Sequence, residues 1–529
     1  MALWLRDIAL EWGESEALLP ARISRLLGVP AQAIGQVRIL RRAIDARRKP
    51  RLRRVYTVEF RVSGEAQLLQ RHAENPHLQL AIPIETLPVR RLVSPCRVLV
   101  VGMGPAGLFA ALRLAECGAR VILIERGRPV AERVRDVERF WTDGQLDPES
   151  NVQFGEGGAG TFSDGKLSTR LNHPWLRQVL ATLVAFGAPE EILVEARPHI
   201  GTDRLRLLLT RFRSGLQRLG VEIRYQARLT DLEADGARVT AGIVNDRERL
   251  PCDALVLAPG HSARDTYRML AERGVKLEAK GFAVGVRCEH PRALIDRIQY
   301  GPRHPHNVPA ADYTLRYNDP DSGRGVYSFC MCPGGEVINA ASSAGEVVVN
   351  GMSRAARAAD RSNSALVVTV QPGDWQEAGV LGGMVWQQEL ERRAFAVSGS
   401  YRAPAQNLLA FAGIGQGPCR CSCRPEVVEA DLGALLPEPV AQGLRRALPH
   451  FDRQMRGFLT GEAVLVGVET RTSAPVRIVR DEQGVSVSHA GLYPAGEGAG
   501  YAGGIMSAAL DGLRAAEQIV QQVNQGRTV

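Results

Sequence analysis

The segment 98–126, VLVVGMGPAGLFAALRLAECGARVILIER, restricts the fold more than any other part of the chain. An apolar run from Val98 to Val101 meets Gly102, Gly104 and Gly107, then a helical run to Cys117 and a second apolar run, Arg120 to Ile124. Strand, glycine turn, helix and strand in that order make a βαβ unit, which requires a parallel sheet with helices on its faces. Gly102 permits the tight turn, Gly104 lets the backbone approach a pyrophosphate, and Gly107 lets helix and strand lie close. Pro105 and Ala106 fall inside this turn, where free N–H groups and the helix dipole favour phosphate. Glu125 closes the second strand, where a carboxylate accepts from ribose hydroxyls and disfavours a 2′-phosphate. The turn therefore suits FAD or NAD better than NADP.

A second segment decides between those two. GLYPAGEGAGYAGG, from Gly491 to Gly504, leads into a predicted helix from Ile505 to about Val523. Gly496 and Glu497 put a carboxylate beside a backbone turn, suited to a polyol chain and a phosphate. Gly503, Gly504 and Ile505 open a helix whose amides can face an electron-rich ring edge. NAD needs no second cradle, whereas FAD does. The plainer alternative is a glycine-rich helix cap.

A chain of 529 residues exceeds one ordinary domain, and its 45% apolar and 23% charged residues are those of a globular protein. No apolar run is long enough for a bilayer, and Arg6 and Asp7 interrupt any signal-peptide core, so the cytosol is the expected location. Nine cysteines are expected to be thiols there. The net charge of +9 permits an anionic partner, but a dinucleotide is itself anionic.

The fold class expected is α/β: a discontinuous Rossmann-like FAD-binding domain at 93–264 and 461–529, with an inserted α+β substrate domain at 265–460. A small basic α+β module at 1–92 precedes it. Between Arg41 and Arg54 that module carries eight basic residues, Arg41, Arg42, Arg47, Arg48, Lys49, Arg51, Arg53 and Arg54, against Asp45. RNA docking is one reading; a solvated hairpin is preferred, because no aromatic residues are interleaved for stacking on bases. After 460, Ala463 to Gly467 reads as the first strand of the returning flavin domain.

Four blocks carry a resemblance beyond the dinucleotide motif: NVQFGEGGAGTFSDGKL from Asn151, SFCMCPGGEVINAASSAGEVVVNGMS from Ser328, GVETRTSAPVRI from Gly467, and GLYPAGEGAGYAGGIMSAALDG from Gly491. With these the chain resembles the bacterial and plastid FAD-dependent dehydrogenases, whose flavin domain is of the glutathione-reductase type. The resemblance runs from about residue 90 to the end. It implies that Gly102, Gly104 and Gly107 hold the FAD pyrophosphate, Glu125 the adenosine ribose, and Arg126 the adenine side. It also places Leu229 beside the adenine, and Ala258, Pro259 and Gly260 at a turn that usually reads Ala-Thr-Gly. Gly157, Gly158, Ala159 and Gly160 would form a second glycine loop, and Glu497 stands where related proteins usually carry Asp. Lys166 follows the glycine loop, near the flavin or on the surface.

Other constellations stay open. Cys330 and Cys332 form C-x-C, a redox pair facing the flavin or two small apolar residues sharing one face of a strand. Cys419, Cys421 and Cys423 lack a fourth metal ligand nearby, and Arg420 and Arg424 are expected to lower their thiol pKa values. Arg471 could bind a substrate carboxylate, stabilise reduced flavin or pair with Glu469. The function expected is hydride transfer between an unidentified small-molecule substrate and flavin. No second dinucleotide motif is present, so the electron partner would be a diffusible nicotinamide, a quinone, oxygen or a protein. The alternatives are an RNA-associated flavoprotein and a flavin-bound scaffold without turnover.

Overall fold

The computed structural model describes residues 2–82 and 87–527, apart from the side chains of 376–378. Met1, 83–86 and 528–529 lie outside the described residues. Five parallel strands form the central sheet, in the order Leu492–Pro494, Ala254–Leu257, Arg97–Val101, Arg120–Ile124 and Glu222–Arg224. Val98, Leu99, Val100 and Val101 are all buried, as a strand covered on both faces must be.

One face is covered by helices Pro105–Glu116 and Ile505–Asn524. They approach closely because residue 512 is glycine: a Cβ there would sit 2.0 Å from the Ala106 carbonyl oxygen. The other face carries a three-stranded antiparallel ribbon, Leu229–Asp235, Arg238–Val244 and Glu248–Pro251, whose Leu229, Leu232 and Val239 share a core with Leu99 and Leu255. The final segment thus completes a sheet begun four hundred residues earlier, which makes the flavin domain discontinuous.

A second sheet of seven strands lies between these halves, in the order Arg316–Asn318, Gly325–Cys332, Arg361–Val370, Phe282–Pro291, Val464–Glu469, Pro404–Asn407 and Val428–Glu429. Helix Glu438–Gln454 backs it with Val440, Leu444, Leu448 and Phe451 buried. The strand that reads in sequence as the start of the returning flavin domain belongs here: Val464–Glu469 pairs antiparallel with Phe282–Pro291. An apolar run in a parallel-sheet style fits any doubly covered strand, so its composition could not say which sheet it joins.

The N-terminal module is an antiparallel sheet, Ile34–Arg48, Arg51–Val62, Leu3–Glu11 and Leu78–Leu80, with helix Leu19–Leu27 packed on it. Its basic hairpin is well supplied with acids. Arg42 pairs with Glu195 at 2.6 Å and Glu16 at 2.8 Å, Arg47 and Arg53 with Asp45, and Arg51 with Glu11. Lys49 donates to the Ile298 carbonyl at 2.6 Å, so the hairpin tip docks against the inserted domain.

Candidate functional site

A cleft runs from the glycine turn at 102–107 to the edge of the seven-stranded sheet. At its first end the three glycines have three separable constraints. A Cβ at residue 102 would lie 2.2 Å from the Ala258 carbonyl oxygen, and one at residue 107 would lie 1.8 Å from the Gly102 carbonyl oxygen. At Gly104 the nearest atom would be 4.0 Å away, so this position leaves room over the helix N-terminus. The helix that starts at Pro105 has no side-chain cap, and its first amides face the cleft side of the turn.

Glu125, Arg126, Leu229, Ala258 and Gly260 all line the same cleft. The Glu125 carboxylate is buried and accepts from three backbone amides, those of Met103, Gly127 and Gly155, at 2.9 Å each. It thereby joins the first glycine turn to the second glycine loop. Arg126 pairs with Glu149 at 2.7 Å and Asp265 at 2.8 Å and stacks over Phe154, 4.0 Å from the ring centroid.

Gly158, Ala159 and Gly160 line the cleft, while Gly157 faces Leu209 and Thr161 behind it. Arg133, to which sequence reading assigns no role, holds this loop. Fully buried, its guanidinium donates to the carbonyls of Asn151, Val152, Gly155, Glu156 and Gly158. Burial lowers its pKa to about 10, still far above neutrality. The signal was present only as an arginine at an apolar helical position.

Gly496, Glu497, Gly504 and Ile505 also line the cleft, whereas Gly503 is exposed and does not. Gly496 has φ 77° and approaches Ala106, where a Cβ would come within 2.8 Å. Helix Ile505–Asn524 has Gly504 as an uncapped N-cap, and nothing lies within 4 Å of a Cβ built on Gly503 or Gly504. Burial of Glu497 outweighs the Gly504 N–H and the Lys280 charge and raises its carboxyl to about 7. Tyr267 donates to the Gly498 carbonyl at 2.8 Å and fixes the turn.

The far end is built from side chains. Arg471 is buried and pairs with Glu391 at 2.6 Å and Glu346 at 3.5 Å, and donates to Ser342 at 2.6 Å. Arg264 shares the same two carboxylates, at 3.0 Å or less. Of the readings open for Arg471, the ion pair with Glu469 does not form. Glu469 instead pairs with the fully buried Arg287 at 2.5 Å, because residues 469 and 471 diverge where the strand ends. His261, also unforeseen, lines the cleft beside them. Burial, with Arg471 and Arg264 nearby, lowers it to about 4, so it is a neutral imidazole at pH 7.

Cys330 and Cys332 do not share a strand face. The ladder shifts between Phe329 and Cys332, and Cys330 has φ 43°, so its half-buried thiol lines the cleft while Cys332 is buried. Lys166 lines the cleft and donates to the Met331 carbonyl next to them. The Cys419, Cys421 and Cys423 thiols correct a different expectation. Burial raises Cys419 to about 11 and Cys421 to about 12, and it lifts Cys423 well above the ordinary range despite the adjacent Arg424. Among the described residues no group of three or more His, Cys, Asp or Glu is placed to hold a metal, and no helix is long and apolar enough to cross a membrane.

Comparison with known proteins matches residues 281–472 to "FAD-dependent protein, C-terminal domain-like", residues 97–134 to an FAD binding domain, and residues 6–61 to a domain of unknown function. An uncharacterised protein of Clostridium beijerinckii is 42% identical over 529 residues, covering 99% of each chain. A FAD-dependent monooxygenase of Hypoxylon pulicicidum is 30% identical over 183 residues, 32% of this chain and 38% of its own. Among solved structures, the flavin-dependent brominase Bmp2 covers 81% of this chain and 80% of its own at 14% identity and TM-score 0.36. A geranylgeranyl bacteriochlorophyll reductase-like protein of Thermoplasma acidophilum covers 82% and 79% at 12% identity and TM-score 0.36.

The cofactor is FAD, and the cleft fits it. The space left at Gly104 and Gly504, two uncapped helix N-termini, and a continuous lining from Leu229 to Arg471 match a long ligand carrying two phosphates.

Proposed function

Because the chain belongs to the family of FAD-dependent proteins that includes the Clostridium beijerinckii protein, we propose that it is a FAD-dependent oxidoreductase of the dehydrogenase kind, passing a hydride between a small organic substrate and the flavin. Bound FAD would supply the two-electron chemistry. The observation that carries the reading is that one cleft is lined by both domains: the glycine turns of the parallel sheet, and Phe329, Cys330, Glu469, Arg471 and Thr472 from the seven-stranded sheet and the segment after it, with Asn350 from the two-stranded ribbon Glu336–Asn339 and Val349–Met352. A substrate between the domains would lie next to that end.

In this reading Gly104, the helix amides after it and the loop at 158–160 bind the pyrophosphate. Helix Ile505–Asn524 aims its N-terminal amides at the ring edge, where they favour negative charge. Glu497 holds or releases a proton near neutrality, while His261, kept neutral by burial and the two guanidinium groups, offers a hydrogen bond rather than a site for a proton. Arg471, with two carboxylates already on it, keeps its place rather than adding net charge to the cleft. The antiparallel ribbon 229–251 beside the five-stranded sheet supports the glutathione-reductase-type reading of the flavin domain. The electron partner would be a diffusible nicotinamide, quinone or oxygen. Arg42, Arg47, Arg51 and Arg53 already have carboxylate partners, which leaves RNA docking without an observation in its favour.

The test is anaerobic titration of the purified holoprotein with NADH, NADPH and fractionated metabolites while following the flavin band. Bleaching by a defined donor supports the reading. A flavin that dithionite reduces but no metabolite fraction does, in either direction of transfer, would contradict it.

A further inference from the structure

Cys330 belongs to two openings. It lines the flavin cleft, and it also lines a second cleft with Lys166, Arg197, Asp312, Ser328 and Arg357. Cys330 is held in a backbone conformation that non-glycine residues rarely adopt, at φ 43°, by the bulge between Phe329 and Cys332. The Arg287 guanidinium fixes that bulge, donating to the Cys330 carbonyl at 2.8 Å and lying 4.0 Å from the Cys332 sulfur. Cys332 is fully buried behind it.

We propose that Cys330 and Cys332 are a redox-active dithiol that reduces small-molecule disulfides entering from the second cleft, Cys330 being the attacking sulfur and Cys332 the resolving one. The inference rests on the oxidoreductase reading above and adds disulfides, reduced by thiol exchange rather than by direct hydride transfer, as a substrate class. The electrostatics agree with this division of roles. The neighbouring Cys332 side chain, with the charges of Arg287 and Lys166, lowers Cys330 despite burial, while Cys330 and burial raise Cys332, whose thiol donates to the Cys330 carbonyl at 3.4 Å. A thiolate in reach of solvent beside a protonated partner is the arrangement disulfide exchange requires.

The exchange balances without a further reagent. The Cys330 thiolate attacks one sulfur of RSSR, forming a mixed disulfide and releasing RS⁻. Cys332 then attacks the Cys330 sulfur, its proton passing to a leaving thiolate, and the second RS⁻ departs. With one more proton from solvent, RSSR becomes two RSH, and the two cysteines, oxidised by two electrons, are joined by a disulfide.

The test uses the full-length holoprotein and bis(2-hydroxyethyl) disulfide, with non-reducing peptide mass mapping to separate these residues from the other seven cysteines. The wild type is expected to yield a Cys330–Cys332 disulfide with release of two thiols per chain. Cys332→Ser should stop at a mixed disulfide on Cys330, and Cys330→Ser should give neither. Alkylation of Cys330 by iodoacetamide should stay fast at pH 6, where an ordinary thiol slows at least tenfold relative to pH 8. If Cys332→Ser retains its yellow flavin and normal circular dichroism yet forms no adduct, the inference fails while the flavoenzyme reading stands. A colourless wild-type protein that still forms the adduct would instead defeat that reading alone.

Discussion

The two ends of the cleft are made of different materials. At the glycine turns the ligand-facing surface is backbone: amides of uncapped helices, a loop tied by Glu125, and gaps where side chains are missing. At the other end it is side chain: Glu469 and Arg471 line the cleft, and the buried Arg287, Arg264, Glu346 and Glu391, all distant in sequence, hold them from behind. Backbone can be shaped by a few local glycines, and it serves a cofactor that never changes. Side-chain networks are set by long-range packing, and they can vary with the substrate while the first end stays the same. The contrast predicts different failure modes.

The largest effect is expected at the first end. Gly107→Val puts side-chain atoms into the Gly102 carbonyl and should leave no folded flavin domain in circular dichroism. Gly104→Val, at an open position, should fold with a normal far-ultraviolet spectrum and lose FAD. If both variants failed to fold, the separation of turn from ligand space would be wrong.

Next comes the charge network. Burial opposes the charge on Glu391, but Arg264 and Arg471 outweigh it and hold its carboxyl well below the usual range. Glu391→Gln should cost about 3–5 kcal/mol in urea unfolding, because two buried guanidinium groups lose their shared partner. With its folded pKa depressed, this carboxylate contributes stability above the unfolded pKa near 4.5 that is lost as pH falls. The variant should therefore show a shallower acid limb.

The smallest effect is at Glu497. Its folded pKa, raised to about 7, means that its protonated form stabilises the apoprotein below pH 4.5 and that this contribution is lost as pH rises through 7. Glu497→Gln should flatten the fall of Tm between pH 5 and 8. An unchanged slope would show that another group carries it.

This difference in material also explains what the sequence could reveal. Gly102, Gly104 and Gly107 stand at fixed spacing in one strand–turn–helix unit, so the turn was legible, whereas the neighbours that exclude a side chain at Gly102 and Gly496, Ala258 and Ala106, were not. Strand Arg120–Ile124 was legible to the residue, and helix Ile505–Asn524 to within one. The partner of Arg471 could not be read because its nearest acid in sequence, Glu469, is not its partner in space. His261 and Arg133 were missed because burial, not pattern, gives them their chemistry. The strand at 464–469 was assigned to the wrong sheet because an apolar run does not name its neighbour.

The most direct measurement is the flavin content of the purified chain after removal and readdition of FAD. The account predicts one tightly held FAD per chain, with the characteristic band near the visible blue and loss of that band in Gly104→Val. A folded wild-type protein that takes up no flavin, or a Gly104→Val variant that keeps it at full occupancy, would contradict the central claim.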